Sequence, residues 1–320
     1  MSDKKTLIQF KENCLNNELF LSEFYRKYQS THKKKEFKIN EFLIEEFNTQ
    51  VFLMFTSDLK EISYFGLPVE LHTKNQLNLE LKFDIINNFL NSQTKPINKY
   101  VFSINLDTEI SKDILNKINP KLIFEQQSIN LDNSENDIFK NFKSNLRYEI
   151  NKTNKNEDIN VKIINKKNYP KNFILEMMET HKTVSGRQTR STETWLINEQ
   201  MILQNQAFIS VVYYKSKAVS YSLFFYNNYM LYYFSSVTLR EYFNISGISH
   251  VSIWEAICYA KKIQIKKFNM GLTDYLHVRN DVDISNKEKN IAFFKSRYCG
   301  EKKYKIIIDE NSFLVTKNFK

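Results

Sequence analysis

The stretch 289–300 reads KNIAFFKSRYCG and sets a lysine directly behind four apolar residues, Ile291-Ala292-Phe293-Phe294. Lys295 there is either a snorkelling side chain, its stem on apolar surface and its ammonium in water, or a fixed cation at the edge of a closed pocket. His181 is a candidate general base because imidazole titrates near neutrality, although a lone histidine is more often structural. Asp274, just after Gly271, is a rival base. Arg187 and Arg190, with His181 six residues before the first, suit an anionic ligand, because a guanidinium fork matches phosphate and carboxylate. Lys143 and Arg147, one helical turn apart on a polar segment, form a second candidate anion site. For both clusters the alternative is a solvated face with surface ion pairs. No His, Cys and carboxylate set stands at metal-ligand spacing, and no Ser or Cys carries a nucleophile motif. The chemistry expected is therefore direct attack, with no metal and no covalent intermediate.

These residues need elements to hold them. In the N-terminal half, residues 51–55, 101–106 and 122–129 read as strands, while 41–48 and 110–118 read as helices. The polar run 132–160 places Ile138, Phe142, Leu146 and Ile150 at i, i+4 spacing, which predicts one helix bridging two halves. Residues 172–181 and 191–205 read as helices, the second capped by Ser191 or Thr192. Strands at 208–214, 218–226 and 229–235 follow as an antiparallel meander with short turns at 215–217 and 227–228. A loop containing Gly247 leads into a helix capped by Ser249, with Lys261 and Lys262 in its last turn, where cations favour the dipole. A strand at 268–270 ends at Gly271, the segment with Lys295 follows, and strands near 303–308 and 313–316 close the chain.

Composition narrows the class. A chain of 320 residues with 42% hydrophobic and 14% aromatic residues builds a real core, and 5 Gly and 4 Pro exclude a loop-dominated protein. The 3 cysteines are far apart in sequence and fit a reducing compartment better than a disulfide framework. The start, MSDKKTLIQFKENC, has no apolar signal region, and 218–237 is interrupted by Asn227-Asn228, so two strands are expected there and no membrane span. A cytoplasmic protein is expected. The net charge of +10 is spread along the chain, which argues for general affinity toward anions and against a dedicated DNA-binding role.

The order strand, strand, strand, loop, helix, strand, helix, strand resembles the GNAT acyltransferase fold, and more narrowly its Fem-type branch of peptidyltransferases. The resemblance covers roughly 140–305 and rests on FKSNLRYEINKTNK, THKTVSGRQTRSTETW, the aromatic meander, SHVSIWEAICYAKK with FNMG, and IAFFKSRYCG. It implies an α/β (α+β) chain of two GNAT-like halves with mixed, mainly antiparallel sheets, a degenerate one at 1–135 and an acyltransferase half at 136–320. The family's Phe-Lys pair falls on Phe294 and Lys295. By the resemblance Lys295 stabilises the oxyanion formed when an amine attacks an ester or thioester, and Phe294 excludes water. The coenzyme A loop of ordinary GNAT enzymes, which turns backbone amides toward pyrophosphate, corresponds to Asn244-Ile245-Ser246-Gly247-Ile248-Ser249, with Gly247 as its first glycine. A capping turn without ligand explains that loop equally well. The activity implied is acyl or aminoacyl transfer to an amine or hydroxyl of a cell-envelope precursor, a nucleotide- or lipid-linked sugar or peptide. Two donors compete: aminoacyl-tRNA, which fits the positive charge, and acyl-CoA, which would make the protein a sugar N-acyltransferase. No permanently bound cofactor is implied. A non-enzymatic nucleic-acid-binding module is the alternative from another class.

Overall fold

The computed structural model describes residues 4–58, 61–94, 97–106, 115 and 118–312. The apolar run 51–55 lies in strand β2 (Thr49–Asp58) with all five side chains buried, as expected of a strand covered on both faces. β2 pairs antiparallel with β1 (Ile39–Glu46). The turn between them holds Phe47 and Asn48 at φ +50° and +58°, the left-handed pair that a two-residue hairpin requires. The helix expected over 41–48 is therefore a strand: its apolar spacing suits either element, and pairing with β2 decides. The N-terminal part is completed by helices α1 (Lys4–Asn17), α2 (Glu23–Lys33) and α3 (Leu79–Asn91). Its strands are β3 (Glu61–Ser63), β4 (Val69–Glu70), β5 (His72–Thr73), β6 (Lys99–Leu106) and β7 (Leu122–Asn130). The helix expected over 110–118 falls almost wholly outside the described residues, and the strand over 313–316 wholly.

The polar segment folds as two helices, α4 (Glu135–Asn141) and α5 (Ser144–Asn154), where one was expected. All four residues of its apolar stripe are buried, but Phe142 and Lys143 are extended, at ψ 151° and 142°. The break is fixed from outside. The Lys143 N–H donates to the Arg297 carbonyl at 3.0 Å, and Arg147 Nη1 donates to the Lys140 carbonyl at 2.8 Å and to that of Phe142.

The rest runs β8 (Ile159–Ile164), α6 (Phe173–Ser185), α7 (Thr192–Leu203), β9 (Ala207–Tyr214), β10 (Lys217–Tyr226), β11 (Met230–Thr238), α8 (Ile248–Lys262), β12 (Lys267–Val278), α9 (Asn286–Ser296) and β13 (Glu301–Asp309). Ser191 caps α7, its hydroxyl accepting from the Thr194 N–H. The stretch 218–237 is indeed two strands, and no helix among the described residues is long and apolar enough to cross a membrane. Thirteen described strands form one sheet in the order β1-β2-β3-β6-β13-β7-β12-β11-β10-β9-β8, with β4 beside β6 and β5 beside β2. Pairing is antiparallel except at β3–β6, β4–β6 and β11–β12.

Two boundaries differ from expectation. Gly271 does not end β12. It sits within the strand at φ +74°, where the register against β7 shifts, and the strand continues to Val278; this is a bulge, which needs glycine's freedom. Helix α8 is capped by Gly247, not Ser249: Gly247 is left-handed at φ +83°, while the Ser249 hydroxyl bonds that of Thr238 at 2.9 Å. One core cluster lies around β2, β6, α3 and the end of β13; a second lies between the sheet and helices α5 and α8; a third is covered by α6 and α7.

Candidate active site

The site lies where β11 and β12 separate. They pair in parallel over 230–232 and 267–269, after which β11 runs on to Thr238 and β12 to Val278 without further pairing to each other. On its other side β11 carries a bulge: Leu223 faces Ser235 and Phe224 faces Tyr233, so Phe234 has no partner on β10. A bulge of this kind re-aims side chains beside a gap.

Helix α9 packs on β12 and delivers Lys295 to this gap. Its Nζ lies 5.7 Å from the centre of the Tyr233 ring and 3.3 Å from where a Cβ on Gly271 would sit. Among the described residues no carboxylate or hydrogen-bond acceptor pairs with it. The side chain is half-buried, and burial lowers its pKa to about 8. It therefore stays mostly charged at neutral pH, with an aromatic face in place of a counter-ion.

What holds α9 is a buried polar network. Phe294 stacks on the His250 ring, with centroids 4.3 Å apart and planes 14° apart. His250 Nδ1 lies 2.7 Å from the Tyr298 hydroxyl. Arg297 donates from Nη1 to His250 Nε2 at 3.1 Å and from Nη2 to Glu149 Oε1 at 2.7 Å. Burial, then the Arg297 charge, pushes the His250 pKa down to about 3. The ring is thus neutral, accepting at Nε2 and donating from Nδ1–H. A Ser285–Glu288 capping box fixes the start of α9. Helices α5, α8 and α9 are locked together directly behind Lys295.

A cavity of about 670 Å³ reaches the same gap, and its lining includes Gly271, Tyr233, Tyr232, Gln126, Phe20 and Glu18. Gly271 and Tyr233, against which Lys295 rests, belong to its lining, and Lys295 stands behind them. A ligand carbonyl placed between Gly271 and Tyr233 would meet a fixed cation.

The other candidate residues scatter. His181 Nε2 lies 3.3 Å from the Ser235 hydroxyl, and Arg190 Nη1 donates to the same hydroxyl at 3.2 Å. The Arg190 guanidinium packs over Trp195 and Phe234, at 5.1 and 5.8 Å. Both therefore reach β11 two residues from Tyr233. Burial, then Arg190 and Lys287, lowers the His181 pKa to about 4, which makes it a weak base at neutral pH. Arg187 is exposed on its loop. Asp274 and Lys143 are exposed and line a separate cavity of about 610 Å³; the Asp274 carboxylate accepts from the Tyr275 N–H at 2.9 Å. Arg147 is committed to two backbone carbonyls at the break between α4 and α5.

The 244–249 loop lines neither cavity. Asn244 is exposed, and the Ser246 carbonyl accepts from the Thr153 hydroxyl. A Cβ on Gly247 would sit 2.6 Å from the Glu149 carbonyl oxygen, so close approach to α5 demands the glycine. The amides of Ile248, His250 and Val251 are already donated, to the carbonyls of Ile245 and Gly247. Tyr233, His250, Arg297, Glu149 and Glu18 escaped sequence reasoning: the bonds from Arg297 to His250 and Glu149 span 47 and 148 positions, while the Tyr233 hydroxyl donates to Ser236 on its own strand, a contact no sequence pattern marks.

No family model matches the sequence, and no curated protein matches it. Solved structures match in fold over nearly the whole chain. FemX matches at 11% identity over 100% of this chain and 99% of its own, with a TM-score of 0.59. L-PGS from Bacillus licheniformis matches at 12% identity over 95% of this chain and 91% of its own, with a TM-score of 0.52. A conserved protein of unknown function from Bacteroides thetaiotaomicron matches at 10% identity over 96% and 98%, also at 0.52. At these identities the likeness is one of fold: the chain has the fold of FemX.

Proposed function

We propose that the protein is a transferase that moves an aminoacyl or acyl group from an activated ester or thioester to an amine or hydroxyl of a cell-envelope glycan precursor in the cytoplasm. The observation that carries this reading is Lys295, an ammonium with no counter-ion among the described residues, held against Gly271 and Tyr233 of the cavity lining. The acceptor's nitrogen lone pair attacks the carbonyl carbon and the C–N bond forms. Negative charge collects on the carbonyl oxygen, where a fixed cation in a water-poor gap lowers the barrier far more than in water. Collapse breaks the C–O or C–S bond, and the leaving group takes the proton that the amine loses. Holding both reactants at the gap supplies the orientation term. Lys295 and Phe294 are the residues this reading makes catalytic and shielding. In this reading the chain divides into halves at 1–135 and 136–320, and both contribute lining to the cavity.

Between the two donors, an aminoacyl ester such as aminoacyl-tRNA is favoured, because the 244–249 turn lines neither cavity and Gly247 is explained by its contact with α5. The experiment supplies the purified protein with labelled aminoacyl-tRNA or labelled acetyl-CoA, each with a mixture of amine-bearing nucleotide- and lipid-linked envelope precursors. Transfer from aminoacyl-tRNA alone supports the reading. Transfer from acetyl-CoA alone replaces the donor with acyl-CoA, and no transfer from either overturns the reading.

A further inference from the structure

A lysine ammonium rides on a flexible four-carbon stem, and among the described residues no acceptor gives that of Lys295 a direction. What aims it is the Tyr233 ring, and the ring has its own anchor. It lies tilted against Phe224, 5.6 Å between centroids. Its hydroxyl donates to Ser236 and is bonded to Ser222 as well. Ser222 is the centre of a row: on β10 it faces Ser210 of β9 and Ser236 of β11. Helix α8 joins the row through Ser252, whose Oγ lies 2.8 Å from Ser222 Oγ and donates to the Ser249 carbonyl at 3.0 Å. A second row runs beside it. There the hydroxyls of Ser220 and Thr238 are 2.7 Å apart, and that of Thr238 lies 2.9 Å from that of Ser249.

These hydroxyls stand in an apolar layer. Beside Ser210 on the same face of β9 are Phe208 and Val212, and α8 brings Ile253 and Ile257. Ser210, Ser222 and Ser252 are all buried, and a buried hydroxyl costs stability unless it is bonded. Alanine would let α8 approach the sheet as closely without that cost. What alanine lacks is a hydrogen bond to pass on, and the row passes its bonds to Tyr233. They matter there because β11 has no partner on its β12 side beyond residue 232. We propose that Tyr233 is the positioning residue of Lys295: the serine row ties its hydroxyl, and the tied ring holds the ammonium at the gap. The consequence for catalysis rests on the transferase reading; the positioning itself can be measured without transfer.

Burial pushes the Tyr233 phenol up to about 12, so the hydroxyl keeps its proton and its bonds. Burial is also the sole cause that lowers the Lys295 pKa to about 8. Around it, Tyr298 is pushed up and His250 from α8 is held down at about 3. Arg297 and Glu149 of α5 are paired as ions. On α9 itself Glu288 is held in the capping box and Lys287 acts on His181; on β12 Asp274 lines the other cavity. An aromatic face favours the ammonium over the neutral amine, so removing the ring should weaken the hold of Lys295 on its proton about tenfold.

The test is NMR titration of the full chain carrying lysine labelled with carbon-13 at Cε, the Lys295 signal being assigned by its loss in Lys295→Met. Tyr233→Leu is expected to hold the Lys295 proton about tenfold more weakly than wild type, with the other lysine signals unmoved. Tyr233→Phe, which keeps the ring, should hold it as wild type does. Relaxation of the same signal reads the tether: Lys295 should be more mobile in Tyr233→Phe and in Ser222→Ala than in wild type. A proton held as tightly in Tyr233→Leu as in wild type, an equal loss in Tyr233→Leu and Tyr233→Phe, or a Lys295 side chain as rigid in Tyr233→Phe and Ser222→Ala as in wild type each overturns the proposal. With a transfer assay in hand, Tyr233→Phe should lower kcat about tenfold at unchanged KM. If transfer fails with every donor while the NMR changes appear, the positioned lysine stands without the transferase. If transfer is found and the NMR changes are absent, only the role of Tyr233 falls.

Discussion

Replacing Lys295 with methionine should stabilise the protein at pH 7. The ammonium is half-buried without a counter-ion among the described residues, and its pKa falls from 10.5 to about 8 through burial alone. A fall of that size corresponds to about 3 kcal/mol against the charged form. Partial solvent contact screens some of this, leaving a gain of about 1–3 kcal/mol for an apolar side chain of similar length. The sign follows from linkage. Below pH 8 the lysine is charged in both the folded and unfolded chains, so the penalty is present in full. Between pH 8 and 10.5 the folded chain gives up its proton first, and the penalty fades. Urea unfolding of wild type and Lys295→Met at pH 7 and pH 10 reads this directly: the variant leads at pH 7 and the gap narrows at pH 10. A variant no more stable than wild type at pH 7 would mean a well-solvated, snorkelling lysine, and the argument for a held charge would collapse.

Gly247→Ala should lower stability by about 2–4 kcal/mol, from its left-handed backbone and from overpacking against the Glu149 carbonyl; a melting scan measures it. Arg297→Met leaves the Glu149 carboxylate and the His250 lone pair without their donor, a loss of about 3–5 kcal/mol in chemical unfolding. Histidine ring signals in NMR should show His181 still neutral at pH 5.5, since its pKa is held at about 4; a midpoint near 6.5 would place it in solvent and reopen its claim as a base.

Much of the C-terminal architecture was legible because its signals are local. The short turns expected at 215–217 and 227–228 and the Ser191 cap all act within a few residues. What misled was also local. The stripe Ile138, Phe142, Leu146 and Ile150 is buried as its spacing implies, yet the helix breaks because the Arg297 carbonyl, more than 150 positions away, takes the Lys143 N–H. At 41–48 the apolar spacing fits a helix, and only the partner strand β2 makes it β1. Gly271 reads as a strand end because glycine usually is one, whereas here it makes room for Lys295. The site was legible at Phe294 and Lys295, where an apolar run meets a charge. Its other wall was not: Glu18 and Lys305 share a cavity lining from nearly opposite ends of the chain, and nothing in either neighbourhood announces the other.

The central claim is that the Lys295 charge acts on the transition state and not on binding. The most direct measurement is kcat and KM for transfer by Lys295→Ala against wild type, with the donor and acceptor that the labelled screen identifies. The account predicts a loss of about 10²–10³ in kcat with KM little changed. A kcat within a few-fold of wild type would contradict it and leave Lys295 a lysine that merely reaches for water.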